Sequence, residues 1–367
     1  MLDYKKIIDN YSITINKEQS SLAKSLLKNE NRRPLYYFGC NELSTNLSKI
    51  INPDGFVDDY VQPGNYCNGK PILSLNNISK EAIIVNCVIT SRPRTGLLRI
   101  LNAGFSHVLS YSDLCRALPD LVPLPSFVLC TRKDINNYSE RWNLVYKGLA
   151  DFESRSIFDD VLRYRLTADY TALKNYSFRP QDQYFEDFMK FDREIFVDAG
   201  GFDGATTEQF CLKYPNYQKV YFFEPSLKNI SLAKIRLKKY HSIEFIEKGV
   251  SNEEGTLFFN SDSGSSSAVS ATGESKIDVT TFDLFINEKI TFIKMDLEGW
   301  EMNALEGAKD HIMMDHPKMA IAVYHNPSDI WRIFEFVNNI RSDYQVFLRH
   351  YTESWTETVM FFMPQKI

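Results

Sequence analysis

The period of the apolar positions changes along the chain, and the changes divide it. From Lys17 to Lys28 the residues Leu22, Leu26 and Leu27 recur at helical spacing, which predicts an amphipathic helix. Short apolar runs follow. Pro34-Leu-Tyr-Tyr-Phe-Gly reads as a buried strand turning into a helix over 42–50, and Gly55-Phe-Val-Asp-Asp as a strand closing on two carboxylates. Lys70-Pro-Ile-Leu-Ser-Leu, Ala82-Ile-Ile-Val-Asn-Cys-Val-Ile and His107-Val-Leu-Ser-Tyr add three more, with a helix from Arg94 to Asn102 that stops at Gly104. Strands apolar on both faces belong in parallel sheets covered by helices. The alternation therefore predicts a small parallel α/β domain over residues 1–125, closing in Leu118-Pro-Asp-Leu-Val-Pro-Leu-Pro.

Residues 126–187 lack strand character and read as a helical connector, with Leu144, Leu149, Phe158, Leu162 and Leu166 turned inward. Over 188–367 the alternation returns. Strands are predicted at Glu194-Ile-Phe-Val-Asp, Lys219-Val-Tyr-Phe-Phe-Glu, Ile243-Glu-Phe-Ile, Ile290-Thr-Phe-Ile-Lys-Met-Asp and Met319-Ala-Ile-Ala-Val-Tyr-His. Helices are predicted over 206–214, 226–239, 300–314 and 329–340. Two last strands, 344–349 and 357–363, have no helix between them. Strand–helix units ending in a hairpin predict a Rossmann-like class I methyltransferase sheet, since a plain dinucleotide domain would continue with helices. Ser261-Asp-Ser-Gly-Ser-Ser-Ser reads as a flexible loop.

Composition narrows the function classes. Of 367 residues, 44% are apolar and 24% charged, with 26 Phe and 20 Tyr, enough apolar surface to fold. The net charge of −5 and the lack of a basic block argue against a nucleic-acid partner. The start Met1-Leu-Asp-Tyr-Lys-Lys lacks the apolar core of a signal peptide, and no window reaches the ~18 apolar residues of a membrane span. The cysteines at 40, 67, 87, 115, 130 and 211 form no C-x-x-C pair, which argues against a zinc site and a disulfide framework. They read as separate thiols in a reducing compartment, so a cytoplasmic protein is expected.

Three constellations carry chemistry. Asp198-Ala-Gly-Gly-Phe-Asp-Gly follows the first strand of the second sheet, where Gly200 and Gly204 would allow a tight turn and close approach to a nucleoside. The other reading is a plain strand–helix connection. Asp198 would hold the cofactor's amino-acid end or a bridging water. Glu224 ends the next strand about 20 residues after Gly204, where a carboxylate can accept ribose hydroxyls, or else cap the helix after Pro225. Lys294-Met-Asp-Leu-Glu-Gly-Trp-Glu puts Lys294, Asp296 and Glu298 on one side at the sheet rim, and His325 ends the following strand.

Phe196-Val-Asp-Ala-Gly-Gly-Phe-Asp-Gly, Phe222-Phe-Glu-Pro, Lys248-Gly-Val-Ser, Ile293-Lys-Met-Asp-Leu-Glu-Gly-Trp-Glu, Ala304-Leu-Glu-Gly-Ala and the terminal hairpin together resemble the FkbM family of S-adenosylmethionine-dependent O-methyltransferases. The resemblance runs from 194 to 363, departing at Gly201, where the family often has Ala. It implies a cofactor cleft formed by Asp198, Gly200, Gly201, Gly204, Glu224 and Asp296, with S-adenosylmethionine as methyl donor. More weakly, Tyr36-Tyr-Phe-Gly-Cys-Asn, Gly55-Phe-Val-Asp-Asp and Asn68-Gly-Lys-Pro-Ile-Leu look similar to the N-terminal domain of bacterial nucleotide-sugar acyltransferases, which helps to hold a sugar nucleotide.

The expected function is methylation of a hydroxyl on a sugar, nucleotide-sugar or glycan precursor. His325 is the first candidate for the base and Asp296 the second. No metal is assigned, with a divalent ion on Asp296, Glu298 and His325 as the alternative. The rival reading is a nucleotide-sugar-binding or oxidoreductase-type protein that uses its first half. A homodimer is left open.

Overall fold

The computed structural model describes residues 3–13, 15–28, 33–259 and 275–365. The serine-rich stretch from Ser261 lies outside them. The chain forms two compact units: Met1–Ser139 with Phe158–Phe178 and Thr352–Thr356, and Glu140–Ile157 with Arg179–Tyr351 and Glu357–Ile367. The stretch expected to be a helical connector, 126–187, is thus shared between the two. Its helix Phe152–Thr167 buries Phe158, Leu162 and Leu166, and Leu149, just after the helix Ser126–Gly148, is buried too, whereas Leu144 is exposed.

The first unit holds β1 (Leu35–Phe38), β2 (Gly55–Val57), β3 (Tyr66–Cys67), β4 (Lys70–Leu73), β5 (Ile83–Asn86) and β6 (His107–Ser110). They form one sheet in the order β3-β4-β2-β1-β5-β6, parallel except for the β3–β4 hairpin. Alternation along the strands sorts the core. Tyr37 and Val85 pack on one face with Leu109 and Val128, while Phe38 and Ile84 pack on the other with Ile100 and Phe105. The lead-in helix, Lys17–Ser25, ends earlier than its pattern predicts, so Leu26 is buried and Leu27 exposed. A helix at Tyr4–Ile13 precedes it, which the pattern did not suggest.

One sequence expectation is corrected in this unit. Cys40, in the turn after β1, and Cys67, at the end of β3, form a disulfide across 27 residues with Cα atoms 6.5 Å apart. The strand order brings them together, which their spacing alone does not reveal. The reading of six separate thiols holds for Cys87, Cys115, Cys130 and Cys211 only, and this pair gives no support to a reducing compartment. Among the described residues, no helix is long and apolar enough to cross a membrane.

The second unit holds β7 (Ile195–Ala199), β8 (Lys219–Phe223), β9 (Ile243–Ile246), β10 (Gly249–Val250), β11 (Gly255–Phe259), β12 (Ser275–Thr280), β13 (Phe292–Met295), β14 (Lys318–Ala322), β15 (Tyr344–His350) and β16 (Thr358–Pro364). Its main sheet runs β15-β16-β14-β13-β7-β8-β9, with the first five strands in chain order parallel and the β15–β16 hairpin antiparallel. A separate three-stranded sheet, β10-β12-β11, was not anticipated. An aromatic layer of Phe185, Phe196, Phe210, Phe292 and Phe361 packs one side of the main sheet. The helix expected over 300–314 is broken into Glu301–Glu306 and Lys309–Asp315. Gly307 stands at the break, where a Cβ would overlap the Ser251 carbonyl.

Truncation at the centre of the aromatic layer separates buried from exposed positions. Phe210→Ala should lower unfolding stability by about 3–5 kcal/mol, whereas Leu144→Ala should change it by less than about 0.5 kcal/mol, both read from denaturant midpoints.

Candidate functional site

The main sheet of the second unit reverses direction beside its central strand: β8 lies on one side of β7 and β13 on the other. Ligands of open α/β sheets bind at the carboxyl ends of the strands flanking such a point. Here these ends carry the glycine turn after β7, Glu224 after β8, the Asp296 turn after β13 and His325 just beyond β14.

The glycine turn is held from inside. Gly200 has φ +76, and a Cβ there would overlap the Asp296 carbonyl oxygen, so the two turns touch backbone to backbone. A Cβ on Gly201 would run into the Phe222 ring. Gly204, φ +84, starts the helix Ala205–Lys213. The glycines at 200 and 201 are therefore required by the protein's own packing.

Register places Lys294 of β13 opposite Asp198 of β7. Lys294 is buried, not at the rim. Its ammonium lies 3.0 Å from Asp198 and donates to the carbonyls of Ala199 and Gly200, at 3.3 and 2.8 Å. Asp198 is fully buried and also accepts from the Thr207 hydroxyl at 2.6 Å. Its carboxylate is thus engaged by Lys294 and Thr207 inside the sheet.

Glu224 closes the other side of the turn. Its carboxylate accepts from the Phe202 amide (3.0 Å), the Ser226 amide (2.9 Å) and the Asn229 side chain (3.3 Å). Of the two readings of this residue, the helix cap is visible: the carboxylate holds the start of the helix Leu227–Arg236 and ties it to the glycine turn. A carboxylate offers about four acceptor positions, so three donors leave one for a ligand hydroxyl. Burial raises its pKa against the pull of these donors.

The third turn gathers acids. Asp296 accepts from the hydroxyls of Tyr184 (2.5 Å) and Tyr324 (3.3 Å). Glu298 adopts the left-handed conformation, φ +53, which costs a residue with a side chain ~1–3 kcal/mol. Glu301, completely buried, accepts from the Leu297 amide at 2.7 Å. These acids surround His325: Nε2 lies 3.5 Å from Asp296 and 3.2 Å from Glu298, and Nδ1 lies 3.0 Å from Glu301. Burial alone would lower the imidazole pKa, but Glu298 and Glu301, then Asp296, outweigh it and lift it to about 11. Asp296, Glu298 and His325 each bring one ligand atom within 4.8 Å of the others, a set able to hold a metal.

Sequence reasoning brought Gly200, Glu224, Asp296 and His325 to one end of one sheet, as the structure does. It missed Tyr184, Tyr324 and Glu357, which come from outside the motifs, and gave Glu301 no part in the site. The pairing of Lys294 with Asp198 was the one missed feature with a signal, since both end adjacent parallel strands.

The strand order, with a parallel core closed by an antiparallel hairpin, is that of a class I methyltransferase. Residues 198–350 match the family model for the methyltransferase FkbM domain. A methyltransferase FkbM from Methylobacillus flagellatus KT shares the fold across both units at 21% identity, covering 98% of this chain and 99% of that one with a TM-score of 0.75. An rRNA methylase from Streptococcus thermophilus matches 47% of this chain and 89% of its own at 19% identity, TM-score 0.32. A putative methyltransferase from Streptococcus mutans, solved in complex with SAH, matches 47% and 89% at 14% identity, TM-score 0.31. No curated protein matches the sequence.

Two outcomes test the electrostatics. Lys294→Met leaves Asp198 buried and unpaired, and should cost about 3–5 kcal/mol of stability in thermal or denaturant unfolding. Around the acid cluster, burial and then Glu301 raise the Asp329 pKa from 3.8 to about 6, and burial and then Asp296 raise that of Glu357. The folded state then holds protons that the unfolded state releases, so stability should fall as pH rises from about 4 to above 6. Measured with chelator present, Glu357→Gln should flatten that fall.

Proposed function

We propose that the second unit transfers the methyl group of S-adenosylmethionine to a hydroxyl, on a sugar, nucleotide-sugar or glycan precursor. The observation that carries this reading is Glu224. It is a buried carboxylate that closes the glycine turn at the sheet's reversal point and keeps one acceptor position open, as a ribose hydroxyl requires. Glycines at 200, 201 and 204 keep the backbone beside it free of side chains.

When bound, the methyl donor supplies a methyl carbon made electrophilic by a positive sulfur, which keeps the bonding electrons as the acceptor oxygen takes the methyl and gives up its proton. The chain's part is chiefly placement. Aligning acceptor oxygen and methyl group is worth up to ~7–11 kcal/mol of barrier. The contact between Gly200 and the Asp296 carbonyl fixes the donor side against the acid cluster. Asp296, held by two tyrosine hydroxyls and partly open to solvent, is the better placed of the two candidate bases. His325, protonated by its acidic neighbours, orients Asp296 and Glu298 in the absence of another cation. A base that takes the acceptor's proton contributes ~10²–10⁴-fold.

The first unit supports the nucleotide-sugar part of the reading. Its strands β4-β2-β1-β5-β6 follow the order of nucleotide-binding sheets, with the reversal between β1 and β5. At that reversal Asp58 accepts from the Cys40, Tyr60 and Val61 amides, and Asn41 starts the helix Glu42–Ser48.

Calorimetry on the full chain separates the readings. S-adenosylhomocysteine should bind, and Glu224→Ala should weaken it by about 1.5–3 kcal/mol, roughly tenfold to more than a hundredfold. Unchanged affinity in a folded Glu224→Ala protein would remove Glu224 from the site. Binding of NAD with none of S-adenosylhomocysteine would favour the oxidoreductase reading instead.

A further inference from the structure

The surroundings of His325 hold more negative charge than they neutralise. The ion-pair distances of Asp296, Glu298 and Glu301 all run to this one imidazole, which carries at most a single positive charge. The imidazole side chain is only 9% exposed, and neither ring nitrogen makes an aligned hydrogen bond although oxygens surround both.

Its two nitrogens are treated differently. Nδ1 faces Glu301, a fully buried carboxylate fixed by the Leu297 amide. Nε2 faces Asp296 Oδ1 and Glu298 Oε2, whose side chains are 19% and 26% exposed. A carboxylate behind one ring nitrogen, with the other left for an ion, is how metal-binding imidazoles are commonly held. The spacing also fits. Neighbouring ligands of an octahedral ion with bonds of ~2.1 Å lie ~3 Å apart, and Nε2 lies 3.2 and 3.5 Å from the two oxygens. Asp296 is further steadied by Tyr184 and Tyr324, so two of the three groups already have their outer contacts.

We propose that Asp296, Glu298 and His325 bind a divalent cation of the Mg²⁺ or Mn²⁺ class, with Glu301 orienting His325 from behind. Two carboxylates and one imidazole suit these ions. Three protein ligands leave coordination positions on the open side, where a hydroxyl of the acceptor would bind and become more acidic. That use rests on the methyl-transfer reading; the binding does not.

The test uses the full chain stripped with chelator and titrated with Mn²⁺, with free Mn²⁺ followed by electron paramagnetic resonance. One saturable site is expected, displaced by excess Mg²⁺. Glu298→Gln and His325→Gln should weaken it at least tenfold, and Glu301→Gln by ~10–100-fold, as loss of an outer partner does. Glu335→Gln, remote from the cluster, should leave it unchanged. Because a variant at these buried positions could misfold, the wild-type chain gives a second readout: Mn²⁺ should broaden the imidazole ¹⁵N resonances of His325. Absence of a saturable site, or a site indifferent to these changes with His325 resonances sharp, would overturn the proposal. S-adenosylhomocysteine affinity is measured on the same samples. Its retention without metal binding refutes the cation alone, and its loss with metal binding intact refutes the methyl-donor reading alone.

Discussion

The close approach of Gly200 to the Asp296 carbonyl is the constraint on which the site depends. It joins the ends of β7 and β13, the two strands at the sheet's reversal, with no room for a side chain between them. Lys294 reinforces it from below, neutralising Asp198 while donating to the Ala199 and Gly200 carbonyls. A buried ion pair adds little net stability, but losing either partner is costly, so such a pair fixes geometry more than it adds energy. Here it fixes the turn that Glu224 closes on one side and the acid cluster on the other. The donor side and the acceptor side of a transfer reaction would be held in register by one backbone contact.

The acid cluster works by a different principle. Asp296, Glu298 and Glu301 converge on His325, and burial, then the neighbouring acids, raise the pKa values of Asp329 and Glu357. Concentrated carboxylates destabilise a fold unless a positive charge answers them. A proton on His325 is one answer and a divalent ion another.

Much of this was legible in the sequence, for identifiable reasons. Strands β7, β8, β13 and β14 are short, apolar and flanked by glycine or charged residues, so pattern alone located them and placed Gly200, Glu224, Asp296 and His325 at their ends. What pattern could not show was pairing across the sheet. Lys294 looked like a rim charge because alternation gives a side, not a partner, and only the register opposite Asp198 makes it internal. His325 was read without its acidic neighbours because its distance from Glu301 is a matter of three dimensions. Cys40 and Cys67 looked independent because strand order, not spacing, brings them together. Tyr184 and Tyr324 carry no motif at all; they enter by packing on Asp296.

The central claim is that the methyl donor lies across the reversal of the second unit's sheet, between Glu224 and the acid cluster. A crystal structure of the full chain with S-adenosylhomocysteine tests it most directly. The ribose should lie against Glu224 and the glycine turn, with the sulfur turned toward Asp296 and His325. Density for the ligand at another place, with Glu224 still engaged only by Phe202, Ser226 and Asn229, would contradict it.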